Sequence, residues 1–565
     1  MTDTTAANAV KFDRQTFARL RGVIHDFRVS DVGGRATTLA ALLIVMLLAI
    51  NGLNVVNNFV GRNFMTAIEQ RDRHAFARQA LFYAAVFLGS TLVAVIYRFI
   101  EERLGLLWRD WLTRRLVVRY LDRHLYYWMK VPGGLGNPDQ RITDDVRAFT
   151  TSTLSLALIF VNGTLTVLAF SGVLWSISRA LFVTAVLYAG LGSALAYLIG
   201  RPLVRLNYDQ SDREADFRAQ LVHVRENAES IALLAYEPRL RARLFDQIGA
   251  LVANLKRIIA VNRNLGFFTT GYGYMIQLIP ALIVAPLFIR GSVEFGVIPQ
   301  SAMAFAQVIG AFSLVVNQFP QLSSYAAVLA RLNALAEASD AAQGAGGVAI
   351  VEDETRFAYE ELTVLAPHDA RPLVRALSVD VTPGSRWLVT GPDNLVTDAL
   401  LLAIAGLWHH GSGRVVRPGP AELFLFPERP YLPPSTLREM LVRDPDQRTT
   451  ADDRIWDALR RAGADAAARR VGGLDTQNDW NGVLSLDEQR LVGVAHLLLT
   501  APRFAVLADL AASLGTERAA DVLATLRERG TGYVVLGDAA ALGDEQFDGV
   551  IEIATDGSWT RQPGR

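Results

Sequence analysis

Between Arg386 and Trp408 the chain reads RWLVTGPDNLVTDALLLAIAGLW: a short apolar strand, a glycine, a loop and an apolar helix. That order is the frame of a loop that cradles phosphate. The working pattern is Gly-x-x-x-x-Gly-Lys-Ser/Thr, in which glycines let backbone N–H groups close on the phosphates, lysine neutralises them and the hydroxyl holds Mg²⁺. Here the first glycine is Gly391, but the second is Val396, the lysine position is Thr397 and the hydroxyl position is Asp398. An aspartate near the start of the helix would put the protein's own negative charge where an anion would sit. The chain's lysines are Lys11, Lys130 and Lys256, so none follows the loop. An arginine carries charge but cannot reproduce a compact ammonium threaded among backbone amides. The expectation is a phosphate loop without phosphate chemistry.

The elements around this loop divide the chain in two. Of 565 residues 51% are hydrophobic, and 56 basic side chains balance 56 acidic ones. Apolar runs of membrane-spanning length fall near 36–60, 79–103, 149–176, 180–200, 265–290 and 295–317. Spans in this even number put both termini on one side. Arginine-rich stretches at 98–130 and 201–263 identify that side as the cytoplasm, although Arg62, Arg71, Arg73 and Arg78 in the first outer loop run against the rule. Ahead of the first span, Phe12, Phe17, Leu20, Ile24 and Phe27 recur at roughly helical spacing among arginines. This predicts an amphipathic helix on the inner membrane surface, or one packed on a cytosolic part.

From Val348 onward short β-like runs (LTVLA, LSVDV, RWLVT, AELFLF, FAVLA, YVVLG, GVIEIA) alternate with helical ones. They predict an α/β domain with a largely parallel sheet. The expected domains are an N-terminal amphipathic helix (1–35), a six-helix membrane domain (36–335), a linker (336–347) and the α/β domain (348–565). The absence of cysteine excludes disulfides, thiolate metal sites and a cysteine nucleophile. Zero net charge argues against a nucleic-acid partner. The first apolar run is too long for a cleavable signal peptide.

Two long stretches are specific: GNPDQRITDDVRAFT (Gly136–Thr150) and EADFRAQLVHVRENAESIAL (Glu214–Leu233). With six spans, long helical connections and a phosphate-loop frame, the chain resembles an ABC half-transporter of the exporter fold. The subgroup it is similar to holds peroxisomal acyl-CoA half-transporters, cobalamin transporters and BacA-type peptide-uptake permeases. The resemblance covers nearly the whole chain. It implies cytosolic stalks whose tips, around Gly133–Arg141 and Asn207–Phe217, touch the nucleotide-binding domain, and it implies ATP and Mg²⁺ as ligands of that domain.

Carried over residue by residue, the family's motifs are altered. FLFPERPYLPPSTLREML resembles the Q-loop segment, with Glu428 at the glutamine position. LSLDEQRLVGVAHLLLTAP resembles the signature helix; Ser485, Glu488 and Gln489 remain, but Asp487 stands at its second glycine. In APRFAVLADLAASLG the Mg²⁺-binding aspartate falls on Ala508 and the catalytic glutamate on Asp509. The switch histidine is Asp538. A carboxylate about 4 Å from a phosphate charge costs about 4 kcal/mol at an effective dielectric near 20. Asp398, Asp487 and Asp538 together would oppose nucleotide strongly, so no hydrolysed cofactor is expected and the nucleotide-binding domain is read as degenerate, with no catalytic residue.

These features predict a homodimeric transporter in a bacterial inner membrane, in contact with lipid, with both termini cytoplasmic. It would move peptides or other large amphipathic solutes, driven by the proton gradient. Alternatives are an ATP-driven subunit in a heterodimer with a competent half, and a non-transporting regulator. Coupling to protons needs ionisable groups beside a water-filled cavity. Candidates are Glu101 and Glu102 on the second span, and Glu214, Glu226 and Glu229 on the stalk. Asn51, Asn54 and Asn58 share one helix face and are expected to line a cavity. No metal site is expected, since His409-His410 lacks a third ligand at suitable spacing. Tyr126-Tyr127-Trp128 reads as stalk packing.

Overall fold

The computed structural model describes residues 14–130, 138–344, 347–367, 369–442, 450–538, 542 and 547–563. It separates into two compact units, Met1–Asp340 and Ala341–Arg565. Among the described residues the first contains six helices long and apolar enough to cross a membrane: Gly33–Glu69, Arg73–Leu121, Pro138–Ile177, Arg179–Glu226, Glu237–Ile289 and Val297–Leu314. They are numbered here as the first to sixth spans. A 53-residue helix such as the fifth is about 80 Å long, and hydrocarbon occupies about 30 Å of it. The second, fourth and fifth spans therefore continue well past any bilayer, as the stalk expectation requires. The turn between the first two spans is tighter than expected. Only Gln70–Asp72 separates them, Asp72 capping the second helix through the N–H groups of His74 and Ala75. Arg62, Arg73 and Arg78 thus sit on helices rather than in an outer loop.

The N-terminal helix (Arg14–Val29) packs within this unit. Phe27 is buried, stacked on Trp108 at 5.5 Å and tilted against Trp111 at 5.3 Å. Arg115 reaches Asp26 at 2.8 Å and Arg19 reaches Glu337 at 2.7 Å. Phe27 is thus covered by protein, while Ile24 on the same helix stays exposed. The helix Phe319–Gly344 runs through most of the stretch expected as linker. It is pinned to the foot of the third span, where Arg141–Asp145 forms a π-helical turn. Arg331 grips the buried Asp145 with two bonds of 2.7 and 2.6 Å, and Arg141 donates to the Arg331 carbonyl at 2.7 Å.

The fourth and fifth spans meet through two tyrosines. Tyr188 and Tyr272 stack at 4.2 Å, and each hydroxyl donates to the other's backbone carbonyl, at 2.8 and 3.0 Å. Gly192 makes the approach possible, because a Cβ there would overlap the Tyr272 ring.

In the second unit, ten strands among the described residues form two sheets. They are β1 (Ala349–Glu352), β2 (Phe357–Leu365), β3 (Pro372–Val381), β4 (Arg386–Thr390), β5 (Gly411–Arg417), β6 (Leu423–Phe426), β7 (Phe504–Ala508), β8 (Gly532–Leu536), β9 (Gly549–Ile553) and β10 (Trp559–Pro563). The larger sheet has the order β10-β9-β4-β8-β7-β6 and is parallel except at β10. Its central strands β7 and β8 are buried at every residue, which is why they read as unbroken apolar runs. A second sheet, β1-β5-β2-β3, is mainly antiparallel; β2 and β3 were expected as strands, whereas the largely exposed β1 and the glycine- and arginine-bearing β5 were not.

Candidate functional site

The parallel order of the larger sheet brings the altered motifs to one edge. Strands β6, β7, β8 and β4 all end there, and in open α/β sheets ligands bind beyond the carboxyl ends of the strands. Gly391 follows β4, Asp509 follows β7, Asp538 stands two residues beyond β8 and Glu428 two residues beyond β6.

The loop after β4 is closed upon itself. The helix Asn394–Ala405 begins before Val396, and Asp393 is its N-cap, accepting the Val396 N–H at 3.2 Å. Arg371 lies 3.5 Å from the other Asp393 oxygen. The buried Val396 packs so near Gly391 that a Cβ there would come within 3.0 Å of the valine Cβ. Thr397, at the lysine position, is buried and donates its hydroxyl to the Asn394 carbonyl at 2.9 Å. Asp398 was expected to put its charge at the start of this helix. It lies in the second turn, too far along to cap, and Asp393 takes the free amide instead.

Asp398 instead faces other carboxylates. Burial pushes its carboxyl up, and the charges of Asp509 and Glu428 push it further. Asp509 is raised in turn by burial, then by Glu428 and Asp538. Its backbone is left-handed (φ 45°, ψ 43°), with its N–H bonded to the Leu536 carbonyl at 2.7 Å, so the turn after β7 is tied to β8. The cation here that sequence reading missed is Arg490. It donates to the Glu428 carbonyl (3.1 Å), to Asp487 (3.2 Å) and to the Ser513 carbonyl (3.3 Å), and lies 3.6 Å from the Glu428 carboxylate.

The signature-like helix Leu486–Thr500 is likewise internally satisfied. Ser485 and Glu488 form a capping box, the Glu488 N–H donating to the serine oxygen (3.3 Å) and the Ser485 N–H to the carboxylate (2.9 Å). Arg470 clamps Glu488 with two bonds, and that pairing, helped by the Ser485 N–H, holds its carboxyl down at about 2. Gln489 is buried and donates to the Leu484 carbonyl. Asp487 is exposed at the helix start, and Ala508 is buried at the end of β7. Among the described residues no group of three or more His, Asp or Glu has a geometry that would hold a metal ion.

In the membrane unit the asparagine face turns inward and bonds across helices. Asn51 donates to Asn162 and accepts from Thr166, both at 2.9 Å, while Asn58 donates to the Gln300 carbonyl at 3.1 Å. Asn54 is half-buried. A separate cavity of about 330 Å³ opens beside this network, lined by Tyr97, Glu101, Ser155 and Asn162 with leucine and isoleucine around them. Of the carboxylates expected to couple protons, Glu101 alone lines it. Glu102 is exposed and paired with Arg98, Glu214 accepts from Gln210, and Glu226 and Glu229 are exposed on the helix ends. The expected stalk-tip contacts at Gly133–Arg141 lie partly outside the described residues.

Similarity to known proteins agrees with this architecture. The profile of the family ABC transporter transmembrane region 2 matches residues 26–289. An uncharacterised ABC transporter ATP-binding protein of Synechocystis is 35% identical over 93% of this chain and 81% of its own length. ABC transporter D family member 2, chloroplastic, of Arabidopsis thaliana is 32% identical over 91% and 83%. The lysosomal cobalamin transporter of Homo sapiens is 25% identical over 84% of each chain. Six spans, an α/β unit with its motif positions at one sheet edge, and relatives matched along nearly the whole length lead to one conclusion: the chain is an integral membrane protein of the ABC transporter family, a half-transporter of the exporter fold related to the D family.

Proposed function

We propose that this half-transporter moves solute without hydrolysing ATP, and that its α/β unit is a degenerate scaffold for a homodimer. The observation that carries this reading is the closed loop beneath a set of carboxylates. A triphosphate needs free backbone amides, a lysine and few opposing charges. Here the Val396 N–H is held by Asp393, no lysine follows Lys256, and Asp398, Glu428, Asp509 and Asp538 converge on the same edge. These residues do not fit ATP with Mg²⁺.

The proton gradient is then the natural energy source, with Glu101 as the coupling group. An ionisable side chain on a spanning helix, beside a polar cavity, can take a proton from one side and release it to the other as the spans rearrange. Tyr97, Ser155 and Asn162 supply the polar lining around it. The cargo class is a large amphipathic solute in a bacterial inner membrane, both termini cytoplasmic. Peptides fit it, and the cobalamin named for the human relative makes cobalamin a second probe.

The test is uptake of fluorescent peptide and of labelled cobalamin into proteoliposomes under an imposed pH gradient, with and without ATP·Mg. Expected are uptake that follows the gradient, indifference to ATP and no micromolar nucleotide binding. Uptake that ignores the gradient, or ATP bound at micromolar concentration, would overturn the reading. The Synechocystis relative carries "ATP-binding" in its name, which favours one second reading, a subunit paired with an ATP-competent half. ATPase activity that appears only when such a half co-purifies would establish it.

A further inference from the structure

We propose that the pocket between the N-terminal helix and the cytoplasmic ends of the second and third spans is a binding site for an anionic membrane phospholipid, one acyl chain inside and the phosphate at an arginine rim. The pocket measures about 340 Å³, at the small end of the usual range for ligand sites of about 300 to 1,000 Å³. Its floor is apolar, with Val23, Leu116, Ile142, Phe149 and Leu332 contributing from four different helices. Such a floor takes hydrocarbon and offers a polar solute nothing to bond.

The rim selects charge. Arg19, Arg115 and Arg119 surround the opening. Arg19 is paired with Glu337 and Arg115 with Asp26, whereas Arg119 is exposed and has no ion-pair partner among the described residues. Three guanidinium groups against two carboxylates leave a single positive charge, which matches one phosphodiester. Guanidinium is also the side chain best shaped to grip phosphate oxygens. Location points to the bilayer as the source. The N-terminal helix ends at Val29, four residues before the first span begins, and Phe27 stacked on Trp108 beside Trp111 forms an aromatic cluster of the kind found at membrane interfaces. Basic segments beside spans draw anionic lipids to the surface.

The experiment titrates phosphatidylglycerol, phosphatidylcholine or oleate into the delipidated full chain in mild detergent, and counts bound lipid by native mass spectrometry. Expected is one phosphatidylglycerol per protomer, preferred over phosphatidylcholine at least tenfold. Arg119→Glu, a change at an exposed position, should weaken it tenfold or more, and Arg119→Lys should restore most of it. Leu116→Trp fills the floor while keeping the charge, and should also abolish binding. Should that variant misfold, Arg119→Glu still decides. Equal binding of phosphatidylcholine, unchanged binding in Arg119→Glu, or binding of oleate alone would each overturn the assignment.

Discussion

Asp145 and Arg331 lie far apart in sequence yet form a two-pronged ion pair with N–O distances of 2.6 and 2.7 Å. The aspartate side chain is 4% exposed and the arginine 44%. The pair joins the π-helical foot of the third span to the last helix of the membrane unit.

Removing one partner of this pair leaves a buried charge alone. For a fully buried pair the cost is about 3 to 5 kcal/mol; with the arginine half exposed, Arg331→Met should cost about 2 kcal/mol. The double variant Asp145→Asn with Arg331→Met should be less destabilised than Arg331→Met alone. Calorimetry of the full chain in detergent checks this, and a single variant indistinguishable from wild type would refute it.

The Asp393 cap is a second handle. Asp393→Ala should cost about 1 kcal/mol, the usual worth of an N-cap, and Asp393→Asn should be nearly silent. A urea titration followed by circular dichroism reads the difference. If alanine and asparagine behave alike, the carboxylate is not acting as a cap.

The α/β unit should show a stability maximum in mild acid. Asp398 and Asp509 have folded pKa values raised by burial and by neighbouring carboxylates, so they destabilise the fold when ionised. That penalty is relieved as pH falls through the raised values towards about 3.9, the ordinary aspartate value. Glu488 works in the opposite sense. Held at about 2 by Arg470, it adds stability above its unfolded pKa and loses it as pH falls through the folded one. Unfolding midpoints should therefore rise on moderate acidification and drop below about pH 4. Asp398→Asn should flatten the rise, and a Glu488→Gln chain should lose the later drop. A profile that declines steadily from neutral pH would contradict this.

Within the proposed proton-driven cycle, Glu101→Gln should cut gradient-driven uptake tenfold or more, while Glu102→Gln should leave it within about twofold. The contrast follows from placement, since the first lines the cavity and the second is exposed beside Arg98. Equal effects in proteoliposomes would remove Glu101 from the coupling role.

Overpacking at Gly192 should be costly. Gly192→Val drives a side chain into the Tyr272 ring, and such changes destabilise by about 1 to 3 kcal/mol. Gly190 has open space around it, so Gly190→Ala serves as the control for thermal unfolding.

Much of this architecture was legible in the chain because hydrocarbon length and buried parallel strands each impose long apolar runs. The six spans and β4, β7 and β8 stood out for that reason. What was missed depends on neighbours remote in sequence. Asn51 gave away its inward face but not Asn162, 111 residues on, which answers it. Arg490, three residues after Asp487, went unnoticed because its reach to Glu428 depends on the sheet order. The Asp393 cap was readable, since an aspartate one residue before an apolar helix is a start signal. The phosphate-loop pattern drew attention instead to Asp398. The N-terminal helix advertised an apolar stripe, but nothing local said that Trp108 would cover Phe27.

The crossed tyrosine bonds between the fourth and fifth spans have a mechanical consequence. Each hydroxyl holds the opposite backbone, so neither helix can slide or spin without breaking both bonds and unstacking the rings. The two spans should travel as one lever, with any hinge lying above or below Tyr188 and Tyr272. Rearrangement of the membrane unit then has fewer independent moving parts than it has helices.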